Sequence, residues 1–448
     1  MHLGRPSLSA GRRRSYPGPA SEEPVTKSAP SSGPTKGASV PLLAPNDGLP
    51  PVIETPEALA AAVEAFAAGT GPVAVDAERA SGYRYSHRAY LVQLRRAGSG
   101  TALIDPIRCP DLSELDAALA DTEWVLHAAT QDLPCLAELG FRPRALFDTE
   151  LAGRLMSFPK VGLGALVEEL LGFTLEKGHS AVDWSTRPLP EPWLIYAALD
   201  VELLVELRDS LAEGLDQAGK RDWAAEEFAA LVQHQPRESR PDPWRRTSGI
   251  HRIRNRRELA YVRALWSARD NTARRRDLSP GRVLSDQAII AAASAKPADR
   301  SQLAALGPYD NRTARRDLDL WWSAVQHARS LPDSELPDNT TPYDGPPPAR
   351  AWADRDPSAA ARLSSCRTAL HELAEAHNLP VENLLAPDSV RRLTWDPPAE
   401  PTPEAVAEAL RARGAREWQI GLTATALAEV LVTHQPGRSG DDSSPEES

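Results

Sequence analysis

The run Pro72-Val73-Ala74-Val75-Asp76-Ala77-Glu78 constrains this chain more than any other stretch. It opens at a turn-forming Gly71-Pro72 pair and alternates apolar and polar in its second half, the pattern of a short strand. Successive strand side chains point to opposite faces, so Asp76 and Glu78 lie on one face, a pleat apart. Two carboxylates placed side by side repel unless a cation or hydrogen bonds hold them. They are candidate metal ligands. The alternative is a solvated strand end, and Asp-x-Glu by itself does not choose between the two.

The surrounding pattern is α/β. Thr55-Pro56 reads as an N-cap with proline at the first helical position, and Glu57 to Ala68 as a helix stopped by Gly69. Tyr90 to Leu94 and Thr101 to Asp105 read as strands joined by the Gly98-Ser99-Gly100 turn. Leu112 to Ala120 reads as a helix, Trp124 to His127 as a fourth strand, and Asp132 to Leu139 as a helix ending at Gly140. Another helix starts after Asp148, which is placed to cap it, and Leu163–Leu171 and Trp193–Leu211 complete the set. Strands arriving early by hairpins, then alternating with helices, predict a mixed sheet with helices on both faces.

After Gln235 the strand signal stops. Arg256 to Asp270, Ser285 to Ala293 and Asp317 to Ser330 read as helices, with Arg282 and Asp286 near a turn at Ser279-Pro280-Gly281. The chain thus divides into a disordered arm (1–47), an α/β domain (48–235), a helical domain with a basic segment (236–330), a proline-rich linker (331–357), a second helical domain (358–435) and an acidic disordered tail (436–448). Order is expected to begin near Val52.

Cys109, Cys135 and Cys366 are too scattered for a disulfide framework or a zinc knuckle, which predicts a reduced, cytoplasmic setting. No apolar run is long enough to span a bilayer, so no membrane partner is expected. Arg5 and Arg12 to Arg14 loosely resemble a transit peptide, but Arg richness runs through the whole chain beside only six lysines, which points to a GC-rich bacterial genome instead. The net charge of −11 conceals a segregation. Arg237 to Arg276 holds 13 arginines against Glu238, Asp242, Glu258 and Asp270, a local +9 that leaves −20 for the remainder. That is the distribution of a phosphate-binding surface on an acidic body, or of an Arg-coated solvated helix pair.

The opening acids have company. Asp132 begins a helix just beyond a strand end, the edge where α/β sheets hold their sites. Tyr196 and Asp200, at i and i+4, share one helix face, with Ile195, Leu199 and Leu203 supplying the buried one. In this order and spacing, Asp76-Ala77-Glu78, Asp132 and Tyr196-x-x-x-Asp200 resemble the tyrosine branch of the DEDD superfamily of 3′–5′ exonucleases. Phe147-Asp148-Thr149 and Asp183-Trp184-Ser185-Thr186-Arg187-Pro188-Leu189 are similar to the ribonuclease D family within it. Glu258-Leu259 through Ala293 resembles an HRDC domain, and the second helical domain occupies the place of a further HRDC-like unit.

The resemblance covers about residues 52–330 and implies a ribonuclease H-like exonuclease domain followed by all-α HRDC-type domains. It implies that Asp76, Glu78, Asp132 and Asp200 hold two divalent cations, Mg²⁺ or Mn²⁺, the hard ions that oxygen-only ligands select. Tyr196 is carried over as the group that orients the attacking water. The expected partner is structured RNA with a single-stranded 3′ end, such as a tRNA precursor. A DNA exonuclease and a nuclease-fold RNA-binding protein without catalysis are the alternatives. Around the site, Tyr83 and Tyr85, with Arg79, Arg84 and Arg88, could stack on and neutralise a terminal nucleotide. Lys177 and His179 could touch a phosphate, or simply be solvated in their loop. His127 reads as packed near the site rather than as a metal ligand, and is kept among the candidate substrate contacts. Asp148 and Asp183 read as helix-capping and loop-fixing. In the basic segment, Arg252, Arg254, Arg256 and Arg257 are the candidates for RNA phosphates.

Overall fold

The computed structural model describes residues 39–176, 178–233, 241–339 and 345–434. Its main sheet has six strands in the order β2-β5-β4-β3-β6-β7, formed by β2 (Val52–Ile53), β3 (Thr70–Arg79), β4 (Ala89–Ala97), β5 (Gly100–Ile104), β6 (Glu123–Leu126) and β7 (Ala145–Asp148). β3, the strand that carries the two acids, lies inside the sheet. It pairs antiparallel with β4 and parallel with β6. Helices cover both faces, so its stem Val73-Ala74-Val75 is at most 1% exposed. The β4–β5 hairpin turns through Gly98 (φ 84°) and Gly100 (φ 75°), left-handed positions where a Cβ would be strained.

The two sheet faces have different partners. Val75, Ala77, Val92 and Leu94 join the larger core with Leu204, Leu207, Leu211 and Leu215 of helix Leu204–Gln217. On the opposite face Leu91 and Leu103 pack with Trp184, Ala197 and Ala198, which seats helix Glu191–Glu202 against β3, β4 and β5. Asp76 and Glu78 alternate with Val75 and Ala77, so they share the face under this second helix. Full burial of each leucine contributes roughly 1.5–3 kcal/mol, enough to hold a helix bearing an acid over a strand bearing two.

Several elements depart from the sequence expectation. The predicted helix Trp193–Leu211 is two helices broken at Leu203, because Glu202 is anchored on the sheet by Arg95 and by the Asn46 N–H while the next leucines face the other core. The structure adds β7 and helix Arg221–Val232 to the expected elements; β7 has no β-branched residue to announce it. The arm expected to be disordered to residue 47 contains β1 (Val40–Leu42), which pairs in parallel with β8 (Phe173–Leu175), so order begins before Val52. Its partner lies some 130 residues downstream, out of reach of any local pattern. Residues 1–38 and 435–448 lie outside the described residues.

The first helical unit packs helices Arg256–Arg276, Asp286–Ala295 and Leu318–Ser330 around Leu265, Ile289, Trp321 and Val325. The second is built on Pro357–Ala376 and Glu417–Thr433, and helix formation begins earlier than expected, at Trp352–Arg355. Trp352 explains the shift: it is fully buried against Trp395 and donates to the Pro347 carbonyl at 2.7 Å, drawing the end of the expected linker into the fold. This unit docks on the sheet domain. Trp418 stacks on Trp223 at 5.0 Å, and Lys220 Nζ donates to the carbonyls of Leu155 and Asn378. Among the described residues no helix is long and apolar enough to cross a membrane.

Candidate active site

Three acids predicted from two separate motifs converge. Carboxylate oxygens of Asp76, Glu78 and Asp200 lie within 4.8 Å of one another. Tyr196, one turn before Asp200, donates its hydroxyl hydrogen bond to that carboxylate. Trp184 packs beside the tyrosine ring at 6.5 Å and His179 stands edge-on to it at 5.9 Å, while Trp193 packs against both Trp184 and His179. Asp132 sits beside this group, close enough for its charge to act on Asp76, Glu78 and Asp200. Arg79 Nη2 lies 3.4 Å from its Oδ1.

Asp148 sets the position of Asp132. Its carboxylate accepts from the N–H groups of Glu150 and Leu151, capping the next helix, and also from Ala128 and Ala129 at 3.2 and 2.8 Å. Those two bonds hold the left-handed Ala128 turn (φ 58°) that leads into Asp132. The capping role was legible from sequence; the grip on the neighbouring turn was not, since it joins residues 20 apart. Asp183 fixes its own loop by accepting from the N–H and hydroxyl of Ser185, and Arg84 Nε donates to that hydroxyl at 2.8 Å.

The electrostatics are those of a site built for more positive charge than the protein supplies. Burial, then the charges of Asp76, Asp200 and Asp132, push Glu78 up to about 10. Burial, then Asp76, pushes Asp132 up to about 8, with Arg79 opposing. Asp76 and Asp200 are raised too, first by burial. Four acids faced, among the described residues, by one arginine, and offering only carboxylate oxygens, fit hard divalent cations and suit no soft metal. Burial and the neighbouring acids also raise Tyr196, which keeps its proton.

The remaining sequence candidates lie elsewhere or do other work. Tyr83 and Tyr85 belong to the contact between the sheet domain and the first helical unit. Arg282 stacks over the Tyr83 ring at 4.1 Å, and the Tyr85 hydroxyl donates to Asp270 at 3.0 Å with Arg274 beside it. Asp277 and the Ser279 N–H complete the contact through the Ser86 N–H and the Tyr83 carbonyl. Stacking on a terminal nucleotide is thereby replaced by stacking within the protein. His127 Nδ1 bonds the Thr149 hydroxyl at 2.9 Å, and burial lowers its pKa. Lys177 lies outside the described residues. Arg256 and Arg257 are spent internally: Arg256 on the carbonyls of Leu336 and Pro337, Arg257 on those of Ala328 and Leu331 and on Asp333. Both are withdrawn as phosphate contacts, because a guanidinium bonded to carbonyls has few donors left. Arg252 and Arg254 remain exposed.

Comparison with known proteins agrees with this arrangement. Residues 50–216 match the family described as 3′–5′ exonuclease, 258–325 the HRDC domain, and 345–431 the 3′ to 5′ exonuclease C-terminal domain. Ribonuclease D of Gluconacetobacter diazotrophicus is 33% identical over 339 residues, 72% of this chain and 81% of that one. A crystal structure of a protein from Bifidobacterium adolescentis superposes with a TM-score of 0.82 at 38% identity, covering 88% of this chain and all of that one. Escherichia coli RNase D, described as an exoribonuclease involved in structured RNA processing, gives 0.63 at 27% identity, over 86% and 98%. A mixed-sheet exonuclease domain followed by an HRDC domain, with about one-third identity over most of the length of a ribonuclease D, places this chain in the ribonuclease D family of 3′–5′ exoribonucleases.

Proposed function

We propose that Asp76, Glu78, Asp132 and Asp200 hold two divalent cations, Mg²⁺ or Mn²⁺, and that the enzyme trims 3′ ends of structured RNAs such as tRNA precursors, releasing nucleoside 5′-monophosphates. The observation that carries this reading is the convergence of Asp76, Glu78 and Asp200 within 4.8 Å, with the Tyr196 hydroxyl bonded to Asp200. When bound, the ions supply an activated water and offset the charge that develops on the departing 3′ oxygen. Asp76 and Glu78 hold them from the strand, Asp200 from the helix above and Asp132 from the turn that Asp148 locks. Tyr196 is held protonated, so it orients the attacking water by hydrogen bonding and does not act as a base. Its packing against Trp184 and His179 limits where the hydroxyl can point.

The body of the RNA meets the first helical unit. Arg252 and Arg254 are exposed, and a groove of about 810 Å³ between helices Arg256–Arg276 and Leu318–Ser330 is lined by Arg275 and His327, with Arg263 and Arg274 in its wall already bonded to the Glu335 carbonyl and to Tyr85 and Asp270. Incubation of 3′-labelled tRNA precursor and matched DNA with Mg²⁺, Mn²⁺ or chelator tests the reading. Stepwise release of 5′-mononucleotides from the RNA, abolished by chelator, is expected. Hydrolysis of the DNA alone, or hydrolysis that survives the chelator, would overturn it.

A further inference from the structure

Gln93 lies on the face of the acid site. It is fully buried, and among the described residues neither its Nε2 nor its Oε1 has a hydrogen-bond partner. In the antiparallel β3–β4 register it stands directly opposite Asp76, so the two side chains share a face, with Cβ atoms about 4.5–5.5 Å apart. On its other side it is paired with Leu103 of β5, and Leu91 precedes it in the same row. Leu91 and Leu103 are thus its apolar neighbours on this face. An amide left unbonded in such a place costs about 1–3 kcal/mol per group, and native interiors leave few. Arg95, the next residue in the row, shows what a polar side chain here is for: it reaches under helix Glu191–Glu202 to hold Glu202 at 3.3 Å.

We propose that Gln93 is a positioning residue for the acid site, its amide N–H supporting the Asp76 carboxylate, directly or across one buried water, when Asp76 is ionised and holds a cation. The proposal rests on the metal-site reading above. Carboxylates that ligate metals are themselves hydrogen-bonded, and losing such a partner costs about 10–100-fold in metal affinity. A neutral amide suits the position chemically. It offers a donor without the fixed positive charge by which a lysine would compete with the ion, and without a further negative charge beside three acids.

The test is calorimetric titration of the full chain with Mn²⁺ alone, read well below each variant's melting temperature, together with kcat and KM on a single-stranded RNA 3′ end. Gln93→Leu should bind Mn²⁺ about tenfold more weakly and lose a similar factor in kcat with KM unchanged. Its melting temperature in chelator should equal or exceed that of the wild type, because the unbonded amide is gone. Gln93→Met, unbranched and of similar length, carries the same expectation should the leucine variant not fold. Mn²⁺ affinity within about twofold of wild type in a folded Gln93 variant, while Asp200→Asn loses binding, overturns the role of Gln93 alone. A wild-type chain that binds no Mn²⁺ overturns the metal site and this proposal with it.

Discussion

The acids of the sheet domain and the arginines of the first helical unit are both concentrations of one charge, and folding treats them oppositely. Asp76, Glu78, Asp132 and Asp200 are brought from three elements to one buried place and faced by Arg79. The arginines between 245 and 276 are mostly neutralised on folding. Arg245 pairs with Asp242, Arg257 with Asp333, Arg269 with Asp286, Arg274 with Asp270 and Arg276 with Asp317, while Arg256 and Arg263 donate to backbone carbonyls near 335. Asp242 and Asp270 already count in the local +9, and the four partners from outside the segment, Asp286, Asp317, Asp333 and Asp338, bring it to about +5. Charge concentrated along a chain marks a site only where folding leaves it uncompensated, and burial makes that far more costly for the acids than for exposed arginines.

The largest effect should come from removing one acid. A ligand to an ion that offsets several kcal/mol of developing charge is worth about 10³-fold in rate. Asp200→Asn should lose at least that in single-turnover hydrolysis, with RNA affinity in a filter or anisotropy assay near wild type. Appreciable metal-dependent hydrolysis in that variant would break the comparison on its acidic side.

A smaller effect should appear in stability. With no divalent ion, Glu78 and Asp132 are raised to about 10 and about 8 in the fold, from ordinary values of 4.5 and 3.8. Both are protonated in the folded and unfolded chains at low pH, so the fold bears no cost there. As pH rises past the ordinary values the unfolded chain ionises first, and stability falls until the folded values are passed. The melting temperature in chelator should therefore fall between about pH 4 and pH 10 more steeply in the wild type than in Glu78→Gln. Saturating Mg²⁺ should flatten the difference. Equal slopes in chelator would mean that the acids are hydrated rather than buried against one another.

The smallest effect separates exposed from committed arginines. Replacing Arg252 and Arg254 by alanine should reduce the slope of log K against log salt for RNA by about 1.5, with the melting temperature unchanged. Replacing Arg256 and Arg257 should leave the slope alone and destabilise by about 1–3 kcal/mol, by stripping donors from partly buried carbonyls around 328–337. The reverse pattern would return Arg256 and Arg257 to the RNA surface.

What the sequence by itself determined is what short-range geometry encodes. Strand alternation placed Asp76 and Glu78 on one face, helical spacing placed Tyr196 and Asp200 on another, and the caps read at Thr55 and Asp148 are observed. Motif order supplied the family. Only the tertiary structure decided which charges stay uncompensated, that Tyr83 and Tyr85 join two domains instead of waiting for a base, that β1 finds β8, and that Gln93 is sealed beside Asp76 without a partner among the described residues. The reason is physical. Periodicity and capping are settled within a few residues of backbone, whereas desolvation and pairing depend on which distant groups the closed chain packs against each one.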